Sequence, residues 1–486
     1  MIDRRQPVRC DAAQVSGAIA HCYTTGQRHT GGIGTEMVVK DMASEEQVRE
    51  FDRAHVFHSW SAQGQINPLP VAGAAGCEFW DFEGKRFLDF SSQLVYANLG
   101  LQHPKVVKAI QDQAAQLCVV QPSFATEPAS QLAHLVSEVS PGDLNMVFFT
   151  NGGAEANENA IKLARAHTGR HRILSAYRSY HGATHGAMTL TGDPRRWASE
   201  PAISGVSRFM GPYSYRSSFH SSSEEEECER ALAHLAEVLM YEGPQTVAAI
   251  ILETVVGTNG ILVPPDGYLQ GVRKLCDEHG ILMILDEVMT GFGRTGEWFG
   301  CNHWDVVPDL LTCAKGITSG YVPLGAVLIS DKVASSFRDR TFFGGLTYSG
   351  HALACAAGVA VIEAMRDEQV VENARMLGAD VLGPALHAMQ EKHPSIGNVR
   401  GKGCFWGVEL VKNRETREMM APFNASAAQM GAVGELGKAA MAQGLSLMLH
   451  WNVIMIAPPL IMTPEQARRG LEILDEVLEI TDRAVS

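Results

Sequence analysis

Short apolar runs alternate with longer amphipathic stretches between about residue 104 and residue 360. Almost every position in the short runs is apolar, which is typical of strands that are covered on both faces. The candidate strands of this kind are 145–150 (NMVFFT), 247–253 (VAAIILE), 281–287 (ILMILDE), 309–314 (DLLTCA) and 325–330 (GAVLIS). The alternation predicts an α/β fold in which helices cover a mostly parallel central sheet.

The segments on either side have different patterns. Residues 77–90 (CEFWDFEGKRFLDF) alternate and turn at Glu83-Gly84, which predicts a hairpin. After about residue 365 longer helical patterns dominate, with candidate strands at 404–410 (CFWGVEL) and 452–459 (NVIMIAPP). Helix starts are expected at Ser44, at Pro104, within 221–227 (SSSEEEE) and at Thr463, where capping residues, a first-turn proline or early acidic residues occur.

Composition and charge narrow the class of protein. The chain has 486 residues, 45% of them hydrophobic and 19% charged, which is ordinary for a globular enzyme of several domains. The net charge of −14 and the absence of a basic stripe argue against nucleic-acid binding. None of the ten cysteines forms a Cys-x-x-Cys pair, so reduced thiols are expected.

Location follows from what the sequence lacks. It contains neither an apolar run long enough to span a membrane nor a secretory signal, which predicts a cytoplasmic protein with no membrane partner. Residues 1–41 show no periodicity and are expected to form a flexible, dispensable extension. Met1, Met37 and Met42 all remain candidate start residues.

The first motif with chemical meaning is 150–165 (TNGGAEANENAIKLAR). A candidate strand ends at Thr150, the chain turns through Gly152-Gly153, and a helix begins. Glycines allow a ligand to approach the backbone, and a helix start offers free N–H groups at a positive dipole end. The motif indicates a phosphate site, although such turns are also common in α/β folds without a ligand.

The second motif places a carboxylate at the end of a strand. Asp286 and Glu287 close an apolar run, at the sheet edge where open α/β folds bind ligands. A carboxylate there requires a cation or donor. A helix cap or a salt bridge with Arg294 is the structural alternative.

The third motif places a lysine at the same edge. Lys315 follows another apolar run and precedes Gly316, 29 positions after Asp286. Partial desolvation lowers the pKa of a lysine and leaves a neutral amine that can attack an aldehyde. A lone lysine in a loop is normally a solvated surface residue, but here it occurs together with the phosphate turn and the acid.

Several separated stretches together resemble the class III aminotransferases, the ω-aminotransferase branch of the fold type I enzymes that depend on pyridoxal 5'-phosphate. They are 150–165, 179–192 (SYHGATHGAMTLTG), 285–296 (LDEVMTGFGRTG), 314–327 (AKGITSGYVPLGAV) and 342–358 (FFGGLTYSGHALACAAG). The resemblance runs from about residue 50 to near the end. It implies a small α+β domain built from both ends of the chain, with 42–105 as its N-terminal part and 365–486 as its C-terminal part. Residues 106–364 would form the large coenzyme-binding domain.

The resemblance also implies a role for individual residues. Lys315 would form an aldimine with the coenzyme and then move the proton, and Asp286 would pair with the pyridine nitrogen. The other implied coenzyme contacts are Gly152, Gly153 and Ala154 at the phosphate, Tyr180 and Val288 on the two ring faces, Glu253 as a second acid, and Thr347 from the neighbouring subunit. The active unit would be a homodimer or a dimer of dimers.

Structural alternatives exist for several of these residues. Tyr180 and Val288 could belong to the core, Glu253 could be an ordinary strand-end acid, and Thr347 could serve a turn. His181 and His185 are expected to be structural, because no third ligand at metal-binding spacing accompanies them. No metal is expected.

The substrate is less well determined by the sequence. Residues 52–71 and 449–463 are similar to the branch that acts on taurine and related ω-amino compounds. The implied reaction is a ping-pong transfer of an amino group to a 2-oxo acid, with an aminomutase, epimerase or decarboxylase of the same family as the alternative. A non-catalytic coenzyme-binding module would need a helix-turn-helix that is not seen.

One departure concerns the acid group of the substrate. Many relatives have an arginine before the late Pro-Pro, whereas His450 and Trp451 occupy that neighbourhood here. Arg400 is a possible substitute for it, with a structural role as the alternative. Trp60 is a candidate for the pocket wall, with a buried aromatic as its alternative.

Overall fold

The computed structural model describes residues 44–486, which divide into two units, the first ending at Pro68 and the second beginning at Leu69. The expected extension over 1–41, including Cys10 and Cys22, lies outside the described residues, as do Met37 and Met42. The first unit contains α1 (Glu45–His55), which Ser44 and Gln47 open with the expected capping box. The domain boundaries expected from the sequence stay a prediction.

The second unit contains all the strands found among residues 44–486. They are β1 (Val71–Ala75), β2 (Glu78–Asp81), β3 (Arg86–Asp89), β4 (Met146–Thr150), β5 (Arg172–Ala176), β6 (Val206–Phe209), β7 (Val247–Glu253), β8 (Leu282–Asp286), β9 (Leu310–Cys313), β10 (Gly325–Ile329), β11 (Ile396–Lys402), β12 (Phe405–Asn413), β13 (Glu418–Met419), β14 (Leu445–Ser446), β15 (Met448–His450) and β16 (Val453–Ile456). Its helices are α2 (Ser92–Val95), α3 (Pro104–Gln116), α4 (Glu127–Val139), α5 (Gly153–Thr168), α6 (His185–Leu190), α7 (Glu224–Glu242), α8 (Tyr268–His279), α9 (Asp331–Ser335), α10 (Ala352–Asp367), α11 (Val370–Met376), α12 (Gly383–Lys392), α13 (Gly431–Ala442) and α14 (Pro464–Asp482).

The seven-stranded central sheet has the order β4-β10-β9-β8-β7-β5-β6. The five apolar runs singled out in the sequence are all strands of this sheet, as predicted. β5 and β6 were not predicted. β10 is antiparallel to both of its neighbours, whereas the strands from β9 to β6 run parallel. The chain returns from β9 to β10 without a crossover helix, and such a direct return joins antiparallel strands.

Helices cover both faces of this sheet because successive strand residues point in opposite directions. Ile251 and Ile284 pack with Ala160 of α5 on one face. Ile250 and Leu285 pack with Val272 of α8 on the other face. This burial explains the continuous apolar runs, and the fold is the predicted α/β fold with a mostly parallel sheet between helices.

Two smaller sheets accompany the central one. The predicted hairpin is present as β2 and β3, which turn at Gly84, and β1 extends it. The late strand β14 pairs in parallel with β3, so both ends of the chain share this sheet. The second sheet contains β11, β12, β16 and β15, with β13 at the side of β12.

The register of the central sheet aligns the acidic strand ends. Glu253 of β7 lies opposite Asp286 of β8, and Asp286 lies opposite Thr312 of β9. Lys315 follows β9 by two residues. The carboxyl ends of β7, β8 and β9 therefore bring these side chains to one edge. Across residues 44–486, no helix is both long and apolar enough to cross a bilayer.

Candidate active site

Lys315 lies on a strained turn just beyond β9. Its φ is 45°, in the left-handed region that residues other than glycine rarely adopt. Burial lowers the pKa of its ammonium group to about 8, even though the nearby Asp286 and Glu253 carboxylates act in the opposite direction. An amine of this pKa is partly neutral near physiological pH and is suited to attack a carbonyl carbon.

Asp286 is buried and is held by three donors. Its Oδ2 atom accepts hydrogen bonds from the Asn157 amide and from His181 Nδ1, both at 2.8 Å. Its Oδ1 atom accepts the backbone N–H of Val288 at 3.0 Å. These donors offset the loss of water around a carboxylate that is 4% exposed. The salt bridge to Arg294 that the sequence allowed is not formed, because Arg294 donates to other groups, among them Asn98 and the Pro458 carbonyl.

The Asn157 side chain is locked in orientation by its own neighbours. Thr312 donates its hydroxyl to Asn157 Oδ1 at 2.8 Å, so the amide nitrogen must face Asp286. The same nitrogen also donates to the His181 carbonyl at 2.7 Å. Thr312, Asn157 and His181 therefore position the acid. The roles of Asn157 and Thr312 were not predicted from the sequence, although Asn157 lies in the motif at 150–165 and Thr312 in the apolar run at 309–314.

Glu253 occupies a second buried position beside Asp286. One of its oxygens accepts the Tyr180 N–H at 2.9 Å, and the other accepts the Gly257 N–H at 2.7 Å. Burial raises the pKa of Glu253 to about 7, and the Asp286 charge adds to this effect. This carboxyl group thus ties the end of β7 to the loop that carries Tyr180.

The glycine turn leaves room for an anion at the start of α5. No side chain caps this helix, and a Cβ atom added at Gly152 would meet nothing within 4 Å. At Gly153 an added Cβ would lie 2.8 Å from a methyl carbon of Val288, so this glycine allows Val288 to sit against the turn. Free N–H groups beside open space form a site that suits a phosphate, next to Ala154 in the first turn.

Tyr180 carries a cation on one face of its ring. The Arg195 guanidinium lies 3.6 Å from the ring centroid and donates to the Thr258 hydroxyl at 2.8 Å. Arg195 also forms an ion pair with buried Asp193. Neither Arg195 nor Asp193 was predicted from the sequence. The available signal was the group of three charged residues around Pro194 in 193–196 (DPRR), directly after the stretch 179–192.

The two candidates for acid-group binding have different surroundings. Arg400 donates to the carbonyls of Gly260 and Ile261, to the Asn398 amide and to Glu409, which favours its structural alternative. The His450 ring lies against the Trp451 ring, with centroids 4.1 Å apart and the planes tilted by 33°. Burial lowers the pKa of His450 to about 4, so its ring is neutral at physiological pH.

Two further candidates lie away from this cluster in the chain. Thr347 is exposed, in a segment where Phe343 and Tyr348 are exposed as well. Trp60 belongs to the first unit, where its φ is 51°. The roles expected of both residues stay predictions.

The chemistry of the edge is that of an aldehyde coenzyme site. It combines an amine of lowered pKa, a buried carboxylate for a ring nitrogen, and an uncapped helix start for a phosphate. Pyridoxal phosphate has these three complementary groups, so the residues present fit it. Residues 44–486 contain no group of three or more His, Cys, Asp or Glu side chains that could hold a metal ion.

Comparison with known proteins agrees with this chemistry. A family model described as aminotransferase class-III matches residues 60–478. The hypotaurine/taurine–pyruvate aminotransferase of Paracoccus denitrificans is 35% identical over 88% of this chain and 95% of its own length. The 4-aminobutyrate aminotransferase of Escherichia coli is also 35% identical, over 86% of this chain and 95% of its own.

A solved structure is similar over nearly the whole chain. The taurine:2-oxoglutarate aminotransferase of Bifidobacterium kashiwanohense, in complex with pyridoxal phosphate and glutamate, superposes with a TM-score of 0.89. It is 44% identical and covers 92% of this chain and 100% of its own. An (S)-enantioselective ω-transaminase of Thermomicrobium roseum superposes with a TM-score of 0.85 at 35% identity, over 91% of this chain and 100% of its own.

Proposed function

This chain belongs to the class III aminotransferases, enzymes that depend on pyridoxal 5'-phosphate, and we propose that it moves the amino group of an ω-amino acid to a 2-oxo acid in two half-reactions. The observation that carries the proposal is the meeting of Lys315 and Asp286 at one sheet edge. Within the family, the taurine enzymes among its relatives favour a taurine-like or β-alanine-like donor.

The residues that would hold the coenzyme follow from the site. Gly152, Gly153 and Ala154 would bind its phosphate at the start of α5, and Asp286 would face its pyridine nitrogen. Tyr180 and Val288 would lie against its two ring faces. When bound, the coenzyme supplies an electron-accepting ring that stabilises the charge left when the C–H bond beside the substrate amine breaks.

The chain's own groups perform the remaining tasks. Lys315 takes the proton from the substrate carbon on its Nζ atom and delivers it during transfer, and its lowered pKa suits both directions. Asn157 and His181 keep the Asp286 carboxylate in one orientation, so that it favours a protonated ring nitrogen. Glu253 holds the backbone of Tyr180 in place.

The assembly that we propose is a homodimer or a dimer of dimers. Thr347 is exposed and lies in a segment with other exposed large side chains. Such a surface is suited to meet a second copy of the chain. We propose that Thr347 contributes to the phosphate site of the neighbouring subunit.

The test begins with the absorbance of the purified, coenzyme-loaded protein. An ω-amino donor alone should remove the visible absorbance without release of carbon dioxide, and a 2-oxo acid should restore it. Product analysis should then show the 2-oxo acid converted to its amino acid. A donor that is isomerised or decarboxylated instead would reject transamination.

A chemical test addresses the lysine. Borohydride reduction should fix the coenzyme to the peptide that contains Lys315, and Lys315→Ala should lose this labelling while it still binds the coenzyme reversibly. Labelling of another lysine in the wild-type protein would reject the assignment.

A further inference from the structure

A cavity of about 300 Å³ opens beside the carboxyl ends of β5 and β7. Its walls are mostly apolar, and they include Tyr213, Phe423 and Tyr268. Arg178 and Arg216 bring positive charge to the same walls. A cavity of this volume accommodates a small molecule, and a few polar groups in apolar surroundings are typical of ligand sites.

Arg178 has no acidic partner among residues 44–486. Its guanidinium lies over two aromatic rings, 4.9 Å from the centroid of Tyr213 and 5.4 Å from that of Phe423. Of its five N–H donors, one makes a hydrogen bond, a long one of 3.4 Å to the Asn259 carbonyl. Burial lowers the pKa of Arg178, although Tyr213 and the Glu409 carboxylate act in the opposite direction.

The carboxylates nearby are already satisfied. Glu409 forms ion pairs with Arg216 and with Arg400, the latter at 2.8 Å, and also accepts the Tyr213 hydroxyl. Burial raises the pKa of Tyr213 to about 12, so this hydroxyl is neutral. The single negative charge of Glu409 is therefore shared among three arginines, so it does not fully neutralise Arg178.

Glu253, the carboxylate in the cavity wall itself, does not supply the missing partner. Its two oxygens accept the backbone N–H groups of Tyr180 and Gly257. A half-buried cation without an ion-pair partner is costly, and an anionic ligand would reduce that cost.

Glu253 links the cavity to the surroundings of the reacting amine, because it lines the cavity wall and its charge acts on Lys315. The charges of Arg178 and Arg195 both disfavour protonation of His450 and so lower its pKa. Arg195 in turn stacks on Tyr180, and its charge lowers the pKa of Lys315. Arg195 thus acts on both His450 and Lys315, and Arg178 acts on His450.

The other positively charged candidates are occupied or neutral. Arg400 is engaged by backbone carbonyls and Glu409, Arg195 is paired with Asp193, and His450 is neutral. Resting on the proposed function, we propose that Arg178 binds the carboxylate or sulfonate group that lies at the far end of the substrate from the amine. The planar fork of a guanidinium suits either oxyanion.

The first test compares charged and uncharged donors in the half-reaction. Taurine and β-alanine carry an acid group, whereas 1-propylamine is of similar length and lacks one. Arg178→Gln should lower kcat/KM about tenfold to hundredfold for both acids, mostly through KM, with little change for 1-propylamine. This loss is equivalent to about 1.4–2.8 kcal/mol. Arg178→Lys should recover part of it, because it keeps the charge but loses the fork.

The matched control removes the same charge elsewhere. The Arg469 side chain is 59% exposed and lies 3.6 Å from Glu78. Arg469→Gln should leave the kinetics of all three donors within twofold of the wild type. Unfolding curves of each variant report whether the fold is kept.

The second test is independent of turnover. Glutarate has two carboxylates but neither an amino nor an oxo group, so its binding measures acid recognition alone. Calorimetry with the coenzyme-loaded protein should show binding that Arg178→Gln weakens at least tenfold and Arg469→Gln does not.

The outcomes separate this inference from the proposed function. Equal losses for acid and neutral donors, or unchanged glutarate binding in Arg178→Gln and Arg178→Lys, would overturn the role of Arg178. Failure of every donor to bleach the wild-type protein would reject the transaminase proposal instead, while glutarate binding would still decide whether Arg178 receives an acid group.

Discussion

Removal of the Asn157 amide tests how strongly the buried network supports Asp286. Asn157→Ala takes away one of the two side-chain donors to Asp286 Oδ2, each at 2.8 Å, and leaves His181 as the other. Hydrogen bonds to a charged group contribute about 1.5–3 kcal/mol. The variant also leaves the buried Thr312 hydroxyl without its acceptor, which costs about 1–3 kcal/mol of folding free energy.

The expected effect on rate follows from the charge on Asp286. The acid stabilises the electron-accepting ring only while it is ionised and correctly oriented. If the lost stabilisation appears fully in the transition state, the half-reaction slows about tenfold to hundredfold, at about 1.36 kcal/mol per tenfold change. Coenzyme affinity should fall by less, because the phosphate site at Gly152 and Gly153 is unaffected.

The chain offers a closely matched control. Asn159 lies on the same helix α5 and is as buried as Asn157, at 1% exposure each. Its amide donates to the Glu155 carbonyl at 2.8 Å and does not contact the acid. Asn159→Ala should therefore change stability without slowing the half-reaction.

The assay is single-turnover absorbance at saturating donor, with unfolding by denaturant measured on each variant. The absorbance spectrum of the bound coenzyme, recorded against pH, reports the ring environment separately from the rate. An Asn157→Ala rate within twofold of the wild type, or an equal slowing in Asn159→Ala, would refute the positioning argument.

Three further predictions concern the rest of the site. Attachment of the coenzyme to the apoenzyme should accelerate as pH rises through about 8, because the neutral form of Lys315 reacts and burial lowers its pKa to that value. The rate is followed by absorbance at each pH. A rate profile with its midpoint near pH 10, the range of an exposed lysine, would contradict this. Gly153→Ala should weaken coenzyme binding about fivefold to hundredfold in equilibrium titrations, since the new methyl group would lie 2.8 Å from a Val288 methyl carbon. Adding Val288→Ala should restore the affinity, and a double variant that binds as weakly as Gly153→Ala would show that the strain arises elsewhere. Thr347→Ala should leave the unfolding curve unchanged, because the residue is exposed. It should speed coenzyme loss during dialysis if Thr347 reaches the site of a neighbouring subunit. Coenzyme retention equal to that of the wild type would place Thr347 outside the site.

Local sequence determined the parts of the site that depend on adjacent residues. A strand end followed by glycines and a helix start is built from neighbours in the chain, so the turn at Gly152-Gly153 was predictable. Asp286 and Lys315 were recognisable for a similar reason, because each follows an apolar strand of the same sheet. Capping boxes at Ser44 and Thr463 also involve residues only three apart, and both are present.

Pairings between distant elements required the tertiary structure. The bond from Asn157 to Asp286 joins residues 129 positions apart, and the one from His181 joins residues 105 apart. Which side chains meet depends on strand order and register, and these depend on the packing of the whole core. His181 was expected to be structural rather than a metal ligand, but its hydrogen bond to Asp286 was not predicted.

The direction of β10 and the pairing of the arginines also depended on the tertiary structure and not on the local sequence. The apolar run at 325–330 predicted a strand but not its direction, since an apolar run reads the same in either orientation. Charge alone likewise did not distinguish Arg400, which is bonded to carbonyls and Glu409, from Arg178, which forms no ion pair within residues 44–486. Sequence by itself determined which chemical groups stand at the ends of the strands. Only the folded chain decided which of them are neutralised, because a charge is paired or free according to neighbours that are close in space and distant in the chain.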